Sequence, residues 1–437
     1  MNNWIDILKN EVIYYITPDV KRGVGLEDIL PNFHIICSFS DPLTPILRKQ
    51  GAKIFCLEEE IKDTDSLANN SGKLLEHPKV TDYIQKQSKD KIPGILIFKP
   101  SLKVEVICQE KGYNLLVNKF SLNDLFEDKT NYFKLISKEL PLYSIPGQLG
   151  YLKNIVFQKI AKKWGLPIVV QFSHGWAGKT TFFIKCQAEF NELARRFPET
   201  FVRINKFIDG FTVLNNACVY KEKIFISPPA IQINNIPEIF EKPEVTCGRQ
   251  WPAFLDSKQV NNIRKISERI GYLMRGKDYL GYFGLDFLVE GRTGRIYLSE
   301  NNARFTASSS FYTKLELRNG EIPLLVYHLL SFLKKDISID EKNSEIIGSQ
   351  LIFRNSKLKF KINSDINYAV IKHQLGKYRI VRSDYYPQNL ASDEFIFSKR
   401  YKLKVKNIDN ERARIETNTP VLEQPGVLKK WVKKFIG

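Results

Sequence analysis

Residues 282–310, YFGLDFLVEGRTGRIYLSENNARFTASSS, constrain this chain more than any other stretch. Leu285, Phe287 and Val289 alternate with Asp286, Leu288 and Glu290, the period of a strand with one buried face. After GRTG comes a second run, in which Ile296, Leu298, Glu300 and Asn302 share the parity opposite to Tyr297 and Ser299. The two runs read as a β-hairpin. With the common three-residue loop, Arg292-Thr293-Gly294 with Gly294 left-handed, Asp286 pairs directly with Glu300; a two- or four-residue loop puts them on opposite faces. In the three-residue register the carboxylates lie roughly 5 Å apart at Cβ, with Asn302 further along the same face. Like charges so close call for a positive partner. Asp, Glu and Asn oxygens suit a hard divalent cation, Mg²⁺ above all where phosphates complete its shell. A solvated hairpin face is the plainer alternative.

The remaining numbers leave room for that chemistry. A chain of 437 residues is long enough for two or three domains, and 43% hydrophobic with 26% charged residues is ordinary for a soluble globular protein. Its longest apolar run, IPLLVYHLLSFL at 322–333, falls short of a membrane span and reads as a buried helix. The N-terminus, MNNWIDILKNE, lacks the basic flank and apolar core of a secretory signal. Six cysteines, with no C-x-x-C pair, argue against a disulfide scaffold or zinc site, so a cytoplasmic setting is expected. The formal charge of +18 is compatible with a nucleic-acid partner or an anionic substrate. No nucleic-acid-binding motif accompanies it, so a generic basic surface is the simpler reading.

Glu300-Asn301-Asn302-Ala303-Arg304 resembles the E-x-N-x-R signature of the ATP-grasp superfamily, and Asp286 falls where that family's first metal carboxylate is expected. The resemblance covers roughly residues 126–335. It implies an α/β chain (an α+β ATP-grasp fold) in three parts: a Rossmann-like domain at 1–125, the ATP-grasp catalytic domain at 126–335, and a β-rich C-terminal domain at 336–437 ending in a helix.

The pieces follow in order. In the first part, FHIICS at 33–38 and AKIFCL at 52–57 flank a short helix near 42–50, a βαβ unit. A strand at 94–98, a helix at 104–110 and a strand at 113–117 extend it into a small parallel sheet. There is no G-x-G-x-x-G. Asp128-Lys129 opens an amphipathic helix ending at Pro141, and the resemblance makes Lys129 a nucleotide-phosphate ligand, although a cation at a helix N-terminus needs an anion nearby.

GLPIVVQFSHGWAGKTTFFI at 165–184 reads as strand, Gly-containing loop and strand. It is not a P-loop, because only two residues separate Gly175 from Gly178 and a β-run follows. The loop is expected to fold over phosphates through Ser173, His174, Gly175, Gly178 and Lys179, with Lys179 also serving catalysis. Gln171 stands where the family often has a phosphate-binding Lys. In FVRINKFIDGFTVLNNACVY, residues 201–220, the resemblance places the adenine hinge at Asn205, Lys206, Phe207 and Ile208. Backbone at Lys206 and Ile208 would read the base edge, against the plainer alternative of an ordinary hairpin. Gln232, after Pro228-Pro229, is a candidate ribose or phosphate donor, and residues 257–275 are expected to form a core helix.

Asp286, Glu300 and Asn302 would then hold one or two Mg²⁺ ions (or Mn²⁺) on ATP, and Arg304 would sit beside the transferred phosphate as a catalytic residue. Thr306 to Ser310 would line the acceptor side. The implied activity is an ADP-forming carboxylate–amine ligase. Its partners would be small-molecule or peptide carboxylates and amines, without a membrane or nucleic acid, and a homodimer is allowed. Biotin-carboxylase-like carboxylation, a non-catalytic ATP-binding protein and a nucleic-acid-binding protein are the alternatives. Beyond 336 the sequence suggests short strands at 350–353, 357–362, 378–381, 395–397 and 400–406, the last with a basic face, and a terminal amphipathic helix.

Overall fold

The computed structural model describes residues 3–62, 69–173, 180–242, 245–338, 345–354, 358–362, 366–374, 376–399 and 411–437. The basic strand expected at 400–406 lies outside them, as do His174, Gly175, Gly178 and Lys179.

The first part is a five-stranded parallel sheet in the spatial order Lys53–Cys56, Phe33–Cys37, Ile13–Thr17, Gly94–Ile97, Asn114–Leu115. Helices Leu43–Lys49 and Leu102–Lys111 supply crossovers, the second closed by left-handed Gly112 (φ 66°). The central strand, IYYIT, is not announced by alternation because all five of its residues are buried.

A four-stranded antiparallel sheet follows, ordered Gly147–Tyr151, Phe201–Lys206, Ile168–Phe172, Thr181–Ile184. Helices Phe157–Trp164 and Gln187–Arg196 pack Phe157, Ile160, Phe190 and Leu193 against Ile168, Val170, Val202 and Ile204.

Apart from a two-stranded sheet of Leu422–Gln424 and Val427–Leu428, an eleven-stranded sheet carries the rest. The 282–310 hairpin is its edge, followed by Gly210–Tyr220, Ala230–Ile233 and Gly248–Trp251. The C-terminal strands Gly348–Phe353, Ala413–Thr417, Glu394–Lys399, Tyr368–Gln374 and Lys377–Arg382 continue the same sheet. Residues 358–362 are irregular, not the expected strand: Leu358, Phe360 and Ile362 plug a core between the sheet and the terminal helix Lys430–Phe435 rather than joining a ladder.

Helix Ser257–Arg275, opened by an Asp256/Gln259 capping box, buries Ile263, Ile266, Ile270 and Met274 behind the hairpin. The segment 201–220 is not a hairpin. Its two strands belong to different sheets, so residues 207–209 form a link from the small sheet to the large one. No helix among the described residues is long and apolar enough to cross a membrane.

Candidate active site

The hairpin strands are Gly281–Glu290 and Ile296–Asn302. Their turn holds four residues, 291–294, and not the three expected. The Glu290 amide donates to the Arg295 carbonyl at 2.9 Å and the Gly294 amide to the Glu290 carbonyl at 2.8 Å, with Gly294 left-handed (φ 69°). The ladder then runs Val289–Ile296, Leu288–Tyr297, Phe287–Leu298. This register buries Ile296 and Leu298 in the core with Val289 and Phe287. A three-residue loop would have aimed both at the polar face, so hydrophobic burial selects the longer turn.

Continued regularly, that ladder would set Asp286 against Ser299. Instead the register shifts at this point, leaving Ser299 as a bulge, and Asp286 pairs with Glu300 and Gly284 with Asn302. The two carboxylates face each other by a different route from the one expected. Ile296 and Leu298 point to the core, away from Glu300.

Arg203, on the small sheet, fastens the bulge. Its Nη1 donates to the Ser299 carbonyl at 2.9 Å and its Nε to Asn205 Oδ1 at 3.0 Å. Asn205 Nδ2 donates to Gln171 Oε1 at 3.2 Å, and Gln171 Nε2 to Thr181 Oγ1 at 3.4 Å. The guanidinium lies over the Phe133 ring at 4.9 Å and is buried, which pulls its pKa down to about 10. A polar chain thus crosses the gap between the sheets and ends on the residue that sets the carboxylate pairing.

Burial first, then the neighbouring Glu300 carboxylate, push Asp286 up to about 7; Arg304, Lys129 and Arg249 pull it back. A carboxylate pair in this state favours a cation, and a cation bound here competes with the proton on Asp286. Lys129 meets part of that demand, its Nζ 3.2 Å from Glu300 Oε1. Lys129 opens helix Lys129–Glu139, whose first amides, Thr130 and Asn131, are capped by Asp128 Oδ1 at 2.8 Å each. Glu300 is the anion that a lysine at this helix end requires.

Asn302 bridges the pair to Arg304: its Nδ2 donates to Asp286 Oδ1 at 3.2 Å, and Arg304 Nη2 donates to its Oδ1 at 2.9 Å. Arg304 is held further by Glu127, Nε to Oε1 2.8 Å, and by the Phe305 carbonyl at 3.0 Å.

The other expected residues are spread around this centre. The Ser173 carbonyl accepts from the Lys129 amide at 3.1 Å. The Lys206 amide is already committed to the Pro146 carbonyl at 2.8 Å, so it cannot donate to a base edge, and the Lys206 ammonium lies 3.9 Å from Glu290. Phe207 sets its ring 6.0 Å from that of Phe183, and Ile208 is buried beside Ile145 and Tyr297. Gln232 lies opposite Arg249 in the large sheet.

Arg203, Glu127 and Arg249 were not among the expected residues. Arg249 is buried, its Nη1 donating to the Ala307 carbonyl at 2.6 Å and to Gln350 Oε1 at 2.8 Å, while its buried Nε has no hydrogen-bond partner among the described residues. An arginine on a strand reads as a solvated position, whether between Val202 and Ile204 in FVRINK or between Gly248 and Gln250 in GRQW, so both segments conceal their guanidinium groups.

Among the described residues no cluster of three His, Cys, Asp or Glu side chains could hold a metal alone. Two carboxylates, whose combined charge matches that of the ion, and an amide fit a Mg²⁺ ion whose remaining ligands are phosphate and water oxygens.

No protein-family model matches the chain, and no curated protein matches it. Solved structures do. The biotin carboxylase domain of the Hydrogenobacter thermophilus 2-oxoglutarate carboxylase, with MgADP, ADP and bicarbonate, is similar at TM-score 0.59 and 12% identity, covering 94% of this chain and 86% of that one. Campylobacter jejuni biotin carboxylase, in a β,γ-ATP complex, gives 0.61 at 14% identity, covering 93% and 87%. Staphylococcus aureus N5-carboxyaminoimidazole synthetase gives 0.59 at 11%, covering 98% of both chains. The chain shares the fold of these structures over nearly its whole length, in agreement with the fold class expected from the sequence.

Proposed function

We propose that this chain is an ATP- and Mg²⁺-dependent ligase that activates a substrate carboxylate as an acyl phosphate and joins it to an amine, releasing ADP and phosphate. One observation carries the reading. Asp286 and Glu300 face each other across a bulged hairpin edge, with Arg304 locked beside them through Asn302 and Glu127.

In this reading residues 1–125, 126–335 and 336–437 form three parts, the middle one catalytic. Asp286 and Glu300 would hold Mg²⁺, which would offset the charge on the β- and γ-phosphates. Lys129, which neutralises Glu300 in this structure, would be a phosphate ligand with the metal bound. Asn302 either contributes its amide oxygen to the metal or keeps Asp286 aimed at it. Residues 205–208 lie along the nucleotide, where Phe207 and Ile208 supply apolar contact, and Gln171, Ser173 and Gln232 supply polar contact. His174, Gly175, Gly178 and Lys179 complete the phosphate enclosure. Arg304 faces the attacking carboxylate and the transferred phosphoryl group, where a permanently charged planar fork suits two oxyanions. Such a site works by positioning and fixed charge, so it needs no Ser, Cys or His nucleophile. Bicarbonate is one candidate acid, since two of the similar structures are biotin carboxylases and one of them holds bicarbonate.

Calorimetric titration with a non-hydrolysable ATP analogue, with and without Mg²⁺, tests the reading on wild type and Glu300→Gln. Metal-dependent binding weakened about tenfold or more by the substitution is the expected result, since a ligand carboxylate is lost. Absence of nucleotide binding under both conditions overturns the ligase.

A further inference from the structure

The parallel sheet has a crevice of its own. Its strand order reverses between the neighbours Ile13–Thr17 and Gly94–Ile97, so the chain leaves them toward opposite sides and opens a gap beyond their carboxyl ends. Arg22, ending the turn Val20–Arg22, borders one side of that gap; Phe98 and Lys99 border the other.

The Arg22 guanidinium lies 4.3 Å from the centroid of the Phe98 ring, and the Arg304 guanidinium lies over the same ring at 5.2 Å. The two arginines come from different sheets and meet on one aromatic ring. Ser310 Oγ donates to the Arg22 carbonyl at 2.7 Å, fastening the segment that follows Arg304 to the turn that carries Arg22. Lys99 joins them through Glu127, whose two oxygens lie 2.7 Å from Lys99 Nζ and 2.8 Å from Arg304 Nε. Two of the cations therefore meet on one carboxylate, Glu127, and two on one ring, Phe98, with Arg304 common to both. Stacking on a ring leaves the in-plane N–H groups of a guanidinium directed at whatever lies beside it, and these suit an oxyanion.

We infer that this crevice receives the acid substrate, with Arg304 facing the carboxylate to be activated and Arg22 anchoring a second anionic group on the same molecule. The substrate class is a small dianion carrying one carboxylate and one further carboxylate or phosphate. Arg22 is a positioning and specificity residue: it touches the substrate away from the reacting atoms. The inference rests on the ligase reading for the role of Arg304, whereas the anion site itself depends only on the cations present.

The probes are malonate, phosphonoacetate and acetate, titrated by calorimetry into protein saturated with MgADP, and in parallel into protein alone. One of the two dianions is expected to bind at least tenfold more tightly than acetate, and which one does so distinguishes carboxylate from phosphate as the second group. Arg22→Ala abolishes that preference and Arg22→Lys restores part of it. MgADP binding by each variant serves as the check on folding. Equal binding of acetate and both dianions by wild type, a preference undiminished in Arg22→Ala, or no saturable dianion binding overturns the inference. Should MgADP fail to bind wild type while the Arg22-dependent preference persists in protein alone, the ligase reading falls and the anion crevice stands.

Discussion

At the scale of single residues the site turns on Ser299, which contributes a carbonyl and one extra step of chain. That step lets Ile296 and Leu298 enter the core while Glu300 still meets Asp286. The sequence pattern carried both halves of this arrangement, apolar alternation and acidic pair, but no local signal for the bulge that reconciles them. Its anchor, Arg203, is nearly a hundred residues distant in the chain and looks like an ordinary exposed strand residue. Replacing it by methionine keeps much of the volume and removes two donors, leaving the Ser299 carbonyl and Asn205 Oδ1 without a partner. We expect Arg203→Met to destabilise the fold by about 2–4 kcal/mol in urea unfolding. In calorimetry the same variant should weaken MgADP binding, as Glu300 loses its fixed position; unchanged binding would show that the bulge needs no anchor.

Among elements, the link between the two antiparallel sheets is the most constrained. Lys206 closes the small sheet and Gly210 already belongs to the large one. Gly210 sits so close to the neighbouring strand that an added Cβ would lie 1.9 Å from the Val289 carbonyl oxygen, a backbone atom that cannot rotate away. Gly210→Ala should cost about 2–4 kcal/mol, by urea denaturation, because the strand Gly210–Tyr220 must shift against the hairpin. A loss under about 0.5 kcal/mol would mean the link is slack.

Elements with one wet face and strong caps were legible in sequence, among them the hairpin, the helix from Lys129 and the helix from Ser257. IYYIT was not, being buried on both sides, and neither was the division of residues 201–220 between two sheets, because strand pairing partners leave no mark within a strand. The Leu358-Phe360-Ile362 alternation has the period of a strand, yet burial against the terminal helix satisfies it without a ladder.

For the molecule as a whole, His328 joins the large sheet to the parallel one. Its Nδ1 accepts from the Tyr282 amide at 2.9 Å, and its Nε2–H donates to the Leu116 carbonyl at 2.7 Å. Burial drives its pKa down from 6.5 to about 4, partly offset by the Leu116 bond. Between those values an unfolded chain binds a proton that the folded chain excludes. The contribution is therefore complete above pH 6.5 and is lost as pH falls toward 4, by about 1.4 kcal/mol per unit and about 3 kcal/mol in all. Glutamine can donate and accept at the same two places without titrating. His328→Gln should thus unfold with a shallower acid dependence than wild type over that window in thermal melts at stepped pH. Parallel curves would mean that the imidazole titrates freely.

The small antiparallel sheet begins at Gly147 and ends near Lys206, and its first and last strands pair, with Gly147 opposite Asn205. The piece of chain between them therefore leaves and returns through one doorway, as a detour inserted into an otherwise continuous body. In genetic terms it is a cassette: it could be lifted out and closed over by a short bridge, or exchanged for one of different reach. The parts of the candidate site carried by the large sheet and the segment after it, Asp286, Glu300 and Arg304, would stay behind as an open platform, parted from the Arg203 that reaches the hairpin from the cassette.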